Sequence, residues 1–266
     1  MMNHWSMTQF AATIAAATGT EAPKHSAEPL PSVVKLVDRT LNGRADRVLI
    51  YNPDCIGHWF WQKYTDWMVP VQEYAPLAAP LSTMMPSVTP VCFGTMFTGA
   101  MPAVHGIQRY EKPVITIDSL FDSLPRAGKR VALIAVSGSS MAIIFGGRNI
   151  DYFLLPYDGD VVQKALELIE KDEYDVIVAY NQAYDDMIHK TAPEAPEALS
   201  AAKDNIAAFH ALCQKAEECW KAHNTLVAFA PDHGNHTDWD GHGNHGEFRE
   251  EDINVVHFFG TLPKRG

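Results

Sequence analysis

The sequence predicts an α/β fold, a three-layer sandwich with a mostly parallel central sheet. Short β-branched or apolar runs recur at Arg47–Pro53, Val131–Ser137, Tyr174–Tyr180, Thr225–Ala230 and Asn254–Phe259, bounded by polar or turn residues as buried strands are. Helical patterns fall between them, and strand alternating with helix implies parallel strands covered on both faces. With 266 residues the chain suits one large domain, read as 1–266 with 1–45 a helical N-terminal segment.

Composition excludes several classes. Hydrophobic residues make up 47% of the chain and charged ones 20%, far from the composition of disordered chains. A net charge of −11 and the lack of any basic run argue against a nucleic acid duplex or a membrane surface as partner. A small anionic substrate then needs a local cation. The longest apolar stretches, Val131–Val136 and Met141–Phe145, fall well short of the roughly 20 residues of a membrane helix.

Taken in order, Phe10–Ala17 is Ala-rich and reads as a helix. It lacks the charged n-region of a signal peptide, since Met1–Met7 contains no Lys or Arg; secretion stays the alternative. The strand Arg47–Pro53 is followed by a helical pattern at Trp59–Met68, in which Trp59 and Trp61 read as core-facing. Pro70, Pro76, Pro80, Pro86 and Pro90 then mark an irregular connection. A helix running to Thr98 follows, with Thr89 suited to its N-cap and Pro90 to its first position. Next come a helix at Ile117–Leu124 behind a capping Asp118, a turn at Ser137–Ser140, and helices at Val161–Lys171 and around Glu197–His223. Cys55, Cys92, Cys213 and Cys219 form no C-x-x-C pair, and so few thiols in a chain of this length suggest a reducing, cytoplasmic compartment.

In open α/β sheets ligands collect beyond the carboxyl ends of the strands. Asp54 follows the first strand there. Asp185, Asp186 and His189 follow the third; Asp232 and His233 the fourth; and His236, His242 and His245 precede the last. Such a mixed Asp and His set on one rim is what a metal centre uses. Asp185 and His189 are four apart and share one face of a helix, so both can hold one cation. Three carboxylates against two divalent cations leave one positive charge, which an alkoxide would cancel. Thr89 is the candidate for that oxygen, and a plain helix cap is its competing role.

These residues resemble the alkaline phosphatase superfamily, with its nucleotide pyrophosphatase/phosphodiesterase and phosphopentomutase branches, from about Arg47 to Gly260. Arg47–Asp54 is similar to a first strand ending in a metal-binding Asp. Thr89-Pro90, then Thr98-Gly99, Pro102 and His105-Gly106-Ile107, is similar to the nucleophile segment. Asp185-x-x-x-His189, Asp232-His233-Gly234 and His245-Gly246 are similar to the three later metal motifs. The resemblance implies one metal on Asp185, His189 and His245, and another on Asp54, Asp232, His233 and the Thr89 oxygen. It implies two divalent ions, zinc first and manganese second, and a phosphatase or phosphodiesterase working through phosphothreonine on a small phosphorylated substrate.

Arg109, Tyr110 and His242 are the candidate substrate contacts, although Tyr110 stands where the phosphodiesterase branch has Asn. Asp54-Cys55-Ile56-Gly57 looks more like the phosphopentomutase pattern, while the interval from Thr89 to Asp185 is too short for that branch's cap domain. Thr89-Pro90-Val91-Cys92 lacks the C-x-P-x-R of the sulfatase branch. A phosphosugar isomerase and a non-catalytic, metal-stabilised binding module are the alternatives. The resemblance also leads us to expect Phe10–Gly19 to pack beside the strand Asn254–Phe259, in the place of a helix that relatives carry after that strand.

Overall fold

The computed structural model describes residues 5–265; residues 1–4 and 266, the extreme ends of the 1–266 assignment, lie outside the described residues. In chain order the strands are β1 (Trp5–Ser6), β2 (Arg47–Pro53), β3 (Leu77–Ser82), β4 (Val131–Val136), β5 (Asp151–Leu155), β6 (Val176–Asn181), β7 (Thr225–Phe229), β8 (His236–Thr237), β9 (Gly243–Asn244) and β10 (Asn254–Leu262). Eight of them form one sheet in the order β1-β3-β10-β7-β2-β6-β4-β5, and β8 pairs with β9 in a small hairpin. Strands β7, β2, β6, β4 and β5 run parallel to one another, whereas β10 is antiparallel to both β3 and β7. This is the mostly parallel, three-layer α/β architecture that the sequence predicts.

The apolar runs are continuous because both faces of the sheet are covered. Along β2, Val48 and Ile50 enter one core cluster while Leu49 and Tyr51 enter the other, the alternation a pleated strand imposes. The helices are α1 (Phe10–Thr18), α2 (Pro31–Leu41), α3 (His58–Lys63), α4 (Val69–Tyr74), α5 (Thr89–Thr98), α6 (Pro102–His105), α7 (Leu120–Arg126), α8 (Ser140–Ile144), α9 (Asp158–Lys171), α10 (Ala183–Lys190), α11 (Pro196–Cys219) and α12 (Glu250–Ile253). Helices α1, α2, α5, α7 and α8 feed the first core, and α3, α4, α9 and α11 the second. None of the described helices is long and apolar enough to cross a membrane.

The N-terminal segment supplies α1 and α2, as expected of a helical segment, and also the short strand β1, which adds to the sheet edge at Leu81 and Ser82. Helix α1 is Ala-rich because it is buried almost all round. Phe10 lies 5.3 Å from the ring of His257 and 6.3 Å from that of Phe259, so α1 does pack beside β10.

Other expectations need correction. The Pro-rich connection contains β3, in which Pro80 lies opposite Val256 of β10 and, among the described residues, β1 pairs at Leu81 and Ser82. The strand β5 was not legible, since it is a half-exposed edge that begins with Asp151. Trp59–Met68 is broken into α3 and a 3-10 turn at Thr65–Met68, and α4 follows. Helix α7 is capped by Ser119 in a capping box with Asp122, while Asp118 pairs with Arg126. Helix α11 stops at Cys219, short of His223.

Candidate metal centre

The carboxyl ends of β2, β3, β4, β6 and β7 share one rim with the start of the reversed β10. Asp54 follows β2 directly, and Asp185 and His189 project from α10 just past β6. Asp232 and His233 follow β7, and His245 follows the β8–β9 hairpin. These seven positions, Thr89 included, form two adjoining groups.

In the first group, ligand atoms of Asp54, Asp232 and His233 lie within 4.8 Å of one another, all buried. Each side chain has one end anchored and one end left over. Asp54 Oδ2 accepts from the Tyr180 hydroxyl, and Asp232 Oδ1 accepts from the N–H groups of Cys55 (3.1 Å) and His233 (2.9 Å). Asp54 Oδ1 and Asp232 Oδ2 have no hydrogen-bond partner, and each stands 3.4 Å from His233 Nε2. His233 Nδ1 faces the Gly234 carbonyl at 3.1 Å; donating there leaves Nε2 as a lone pair. Two carboxylate oxygens and an imidazole nitrogen therefore converge in a buried site, a donor set that a cation would reconcile.

The second group repeats the device. His189 Nδ1 faces the Gly243 carbonyl at 3.1 Å and His245 Nδ1 the Ser87 carbonyl at 2.9 Å, so both Nε2 atoms turn inward. They lie 3.1 Å apart, at 3.4 and 3.3 Å from Asp185 Oδ1, which also lacks a hydrogen-bond partner. The His233 and His245 rings stack at 4.1 Å and join the two groups. Mixed imidazole and carboxylate donors of this kind suit a divalent cation.

Electrostatics reflect this crowding. Burial, then the Asp232 and Asp185 charges, push the Asp54 carboxyl well above the ordinary 3.8, and burial raises Asp232 to about 7. Burial also opposes ionisation of Asp185, but the imidazoles of His189 and His245 outweigh it and hold that carboxyl well below its usual range. Burial and the neighbouring His245 depress His233.

Thr89 is the first residue of α5, one position later than the sequence suggested: Val88 is the N-cap and Pro90 the second helical residue. Its hydroxyl caps nothing. Thr89 Oγ1 instead lies 3.3 Å from His233 Nε2, beside the first group. His105 holds this segment by facing Thr95 Oγ1 at 3.0 Å and accepting the Ile107 N–H at 3.3 Å.

A cleft of about 140 Å³ opens over Asp54, Thr89 and Asp185. Tyr110 lines it. Arg109 and His242 do not: the Arg109 guanidinium is 81% exposed and held by Glu111, and His242 faces Asp240 at the hairpin, in a separate depression beside His189. The rest of the cleft wall comprises Ser137–Ser140 and Asp186, which the sequence placed just past strand ends, and Lys112, Tyr180 and Gln182, which sequence reasoning missed. Ser139 caps α8, so the turn reading of that loop holds while the loop also faces the cleft. Lys112 carries no motif that could have flagged it; it is placed by folding alone. Trp59 and Trp61 pack against the second core, and His236 is buried against Asp252 at 2.7 Å.

No protein-family model and no curated protein sequence matches the chain. Solved structures do. Phosphonoacetate hydrolase from Sinorhizobium meliloti 1021, in complex with phosphonoformate, is similar with a TM-score of 0.55 at 18% identity, over 76% of this chain and 61% of that one. Murine ectonucleotide pyrophosphatase/phosphodiesterase 5, in complex with AMP, is similar with a TM-score of 0.55 at 19% identity, over 72% and 58%. The C-terminal periplasmic domain of the phosphoethanolamine transferase EptC from Campylobacter jejuni gives 0.54 at 14% identity, over 82% and 80%. The chain thus spans about 60% of the length of the first two. At these identities the likeness is one of fold, and the fold is that of the alkaline phosphatase superfamily.

Proposed function

We propose that this chain is a metal-dependent phosphoric ester hydrolase, a single catalytic domain in a cytoplasmic setting, acting through a phosphothreonine on Thr89. The observation that carries the reading is the Thr89 hydroxyl: it is buried at the start of α5, unused as a cap, and set beside two groups of metal-type donors whose Asp54, Asp232 and Asp185 carboxylates each keep one oxygen without a partner. Asp54, Asp232 and His233 would hold one divalent ion, and Asp185, His189 and His245 the other. When bound, such ions lower the pKa of a coordinated hydroxyl and offset charge on the phosphoryl group.

The chain's own residues do the rest. Thr89 Oγ1 gives up its proton to solvent and attacks phosphorus, forming the Thr89 Oγ1–P bond as the bond to the leaving oxygen breaks; that oxygen takes a proton from solvent in return, so the step is proton-neutral. Water then attacks phosphorus and frees Thr89 as a hydroxyl. Helix α5, buried along its whole length, fixes the nucleophile, so little motion is needed to reach the attack geometry. Tyr180 holds the Asp54 carboxylate, and the Nδ1 contacts of three histidines to main-chain carbonyls fix their ring orientation. The small cleft, walled by Lys112 and the Ser137–Ser140 loop, supports a small phosphorylated substrate.

Thr89→Ala should keep its bound metal and lose turnover of a nitrophenyl phosphate monoester, diester or phosphonate monoester, whichever the parent protein prefers. Retained turnover would refute the phosphothreonine. Parent protein that releases no free phosphate but moves phosphate within a sugar phosphate would favour the isomerase.

A further inference from the structure

We infer that Cys55 is an additional metal ligand, a thiolate at the junction of the two donor groups that biases the centre toward zinc over manganese. Its Sγ lies within 4.8 Å of ring nitrogens of both His233, from the first group, and His245, from the second. The side chain is fully buried, immediately after Asp54. The backbone pays for this placement: Cys55 has φ 70°, the left-handed region that favours glycine. That conformation is pinned from both sides, the Cys55 N–H donating to Asp232 Oδ1 at 3.1 Å and its carbonyl accepting from Asn235 Nδ2 at 2.7 Å. A strained backbone held by a metal-type carboxylate is a pattern of functional sites.

A second observation points to a ligand at the same place. Asp54 Oδ1 and Asp232 Oδ2 are buried without a partner and face the same His233 ring. The thiol's own contact is weak, a 3.6 Å approach to the Gly234 carbonyl. Coordination takes the thiolate, so cation binding releases the Sγ proton to solvent. Soft thiolate donors favour zinc, and carboxylate-rich sites manganese, so Cys55 supplies the selectivity that Asp and His alone leave open.

The inference rests on the two-metal reading, and cobalt separates the two. The parent protein loaded with Co²⁺ should show an intense near-ultraviolet thiolate-to-cobalt charge-transfer band. Cys55→Ser and Cys55→Ala should lose it while binding the same amount of Co²⁺ and keeping the far-ultraviolet circular dichroism of the parent. Cys92→Ser, whose parent thiol is instead engaged by Thr83, should keep it. The preference for zinc over manganese in competition should fall by about tenfold or more in the Cys55 variants. Cobalt bound without the band, a band that survives removal of Cys55, or an unchanged metal preference would overturn the thiolate and leave the metal centre standing. Parent protein that binds no Co²⁺ would overturn both.

Discussion

Lys112 is the one cation among the residues lining the cleft, where it stands with the Asp54, Asp185 and Asp186 carboxylates. Its ammonium donates weakly to the Gly138 carbonyl at 3.4 Å and lies 5.5 Å from the Tyr110 ring. Neither contact uses the full charge, so the group is free to meet an anionic substrate oxygen. A charge-assisted hydrogen bond of this kind contributes about 1.5–3 kcal/mol. Lys112→Ala should therefore lower kcat/KM by about 10- to 150-fold, with metal content and folding unchanged. Arg109→Ala should have little effect, because that guanidinium is solvated and paired with Glu111. Steady-state kinetics of both variants check this; equal losses would mean that the loop after α6 closes over the substrate in a way this cleft does not show.

Gly234 decides how closely the ligand-bearing elements approach. A Cβ on Gly234 would stand 1.9 Å from the Glu251 carbonyl oxygen and 2.9 Å from the Gly57 Cα, both backbone atoms that cannot swing aside. The loop after β7 thus threads between the start of α3 and α12, and that threading sets Asp232 and His233 opposite Asp54. Gly234→Ala should destabilise the fold by at least about 1–3 kcal/mol, as overpacking does, and weaken metal binding in parallel. Chemical denaturation and metal titration read both. At the sheet's other end Phe10→Ala, which empties the contact of α1 with His257 and Phe259, should cost about 3–5 kcal/mol and leave metal affinity intact.

These elements also show what was legible. Buried strands such as β4 and β6 announce themselves because their runs are apolar up to Asn181 at the end of β6, and Asp185 and His189 because helical spacing puts them on one face. The strand β3 is hidden, since its pairing with β10 is long-range and Pro80 contradicts local propensity. The same limit applies within the site. The six Asp and His positions are readable from residue type at strand ends; Lys112, Tyr180 and the junction position of Cys55 depend on which loops the sheet order brings together, and no local pattern encodes that.

At the scale of the whole molecule, a chain of net charge −11 buries Asp54 and Asp232 side by side, next to the half-buried Asp185. Without metal this arrangement opposes folding in a pH-dependent way. Burial raises Asp54 well above 3.8 and Asp232 to about 7, whereas the unfolded chain keeps the ordinary value. Between about pH 4 and 7 the folded metal-free protein holds protons that the unfolded chain has released, so its stability falls as pH rises. His105 and His257 act oppositely: burial lowers both to about 4, and they destabilise the fold as pH falls from 6.5 toward that value. Asp185, held low, gives stability that is present above 3.8 and is lost only on further acidification.

Subtracting the metal-free from the zinc-loaded protein cancels His105 and His257, which lie outside the donor groups, and leaves the donors themselves, among which replacement of Asp54 and Asp232 separates that pair from Asp185, the imidazoles and Cys55. The zinc-induced rise in Tm should thus be small near pH 4.5 and grow steadily to about pH 7, as the cation replaces protons on the paired carboxylates. Thermal unfolding in chelator and in zinc across that range measures it. A difference that stays flat with pH would mean that Asp54 and Asp232 do not share a cation. Replacing both by Asn should flatten the metal-free profile and remove most of the zinc-induced rise.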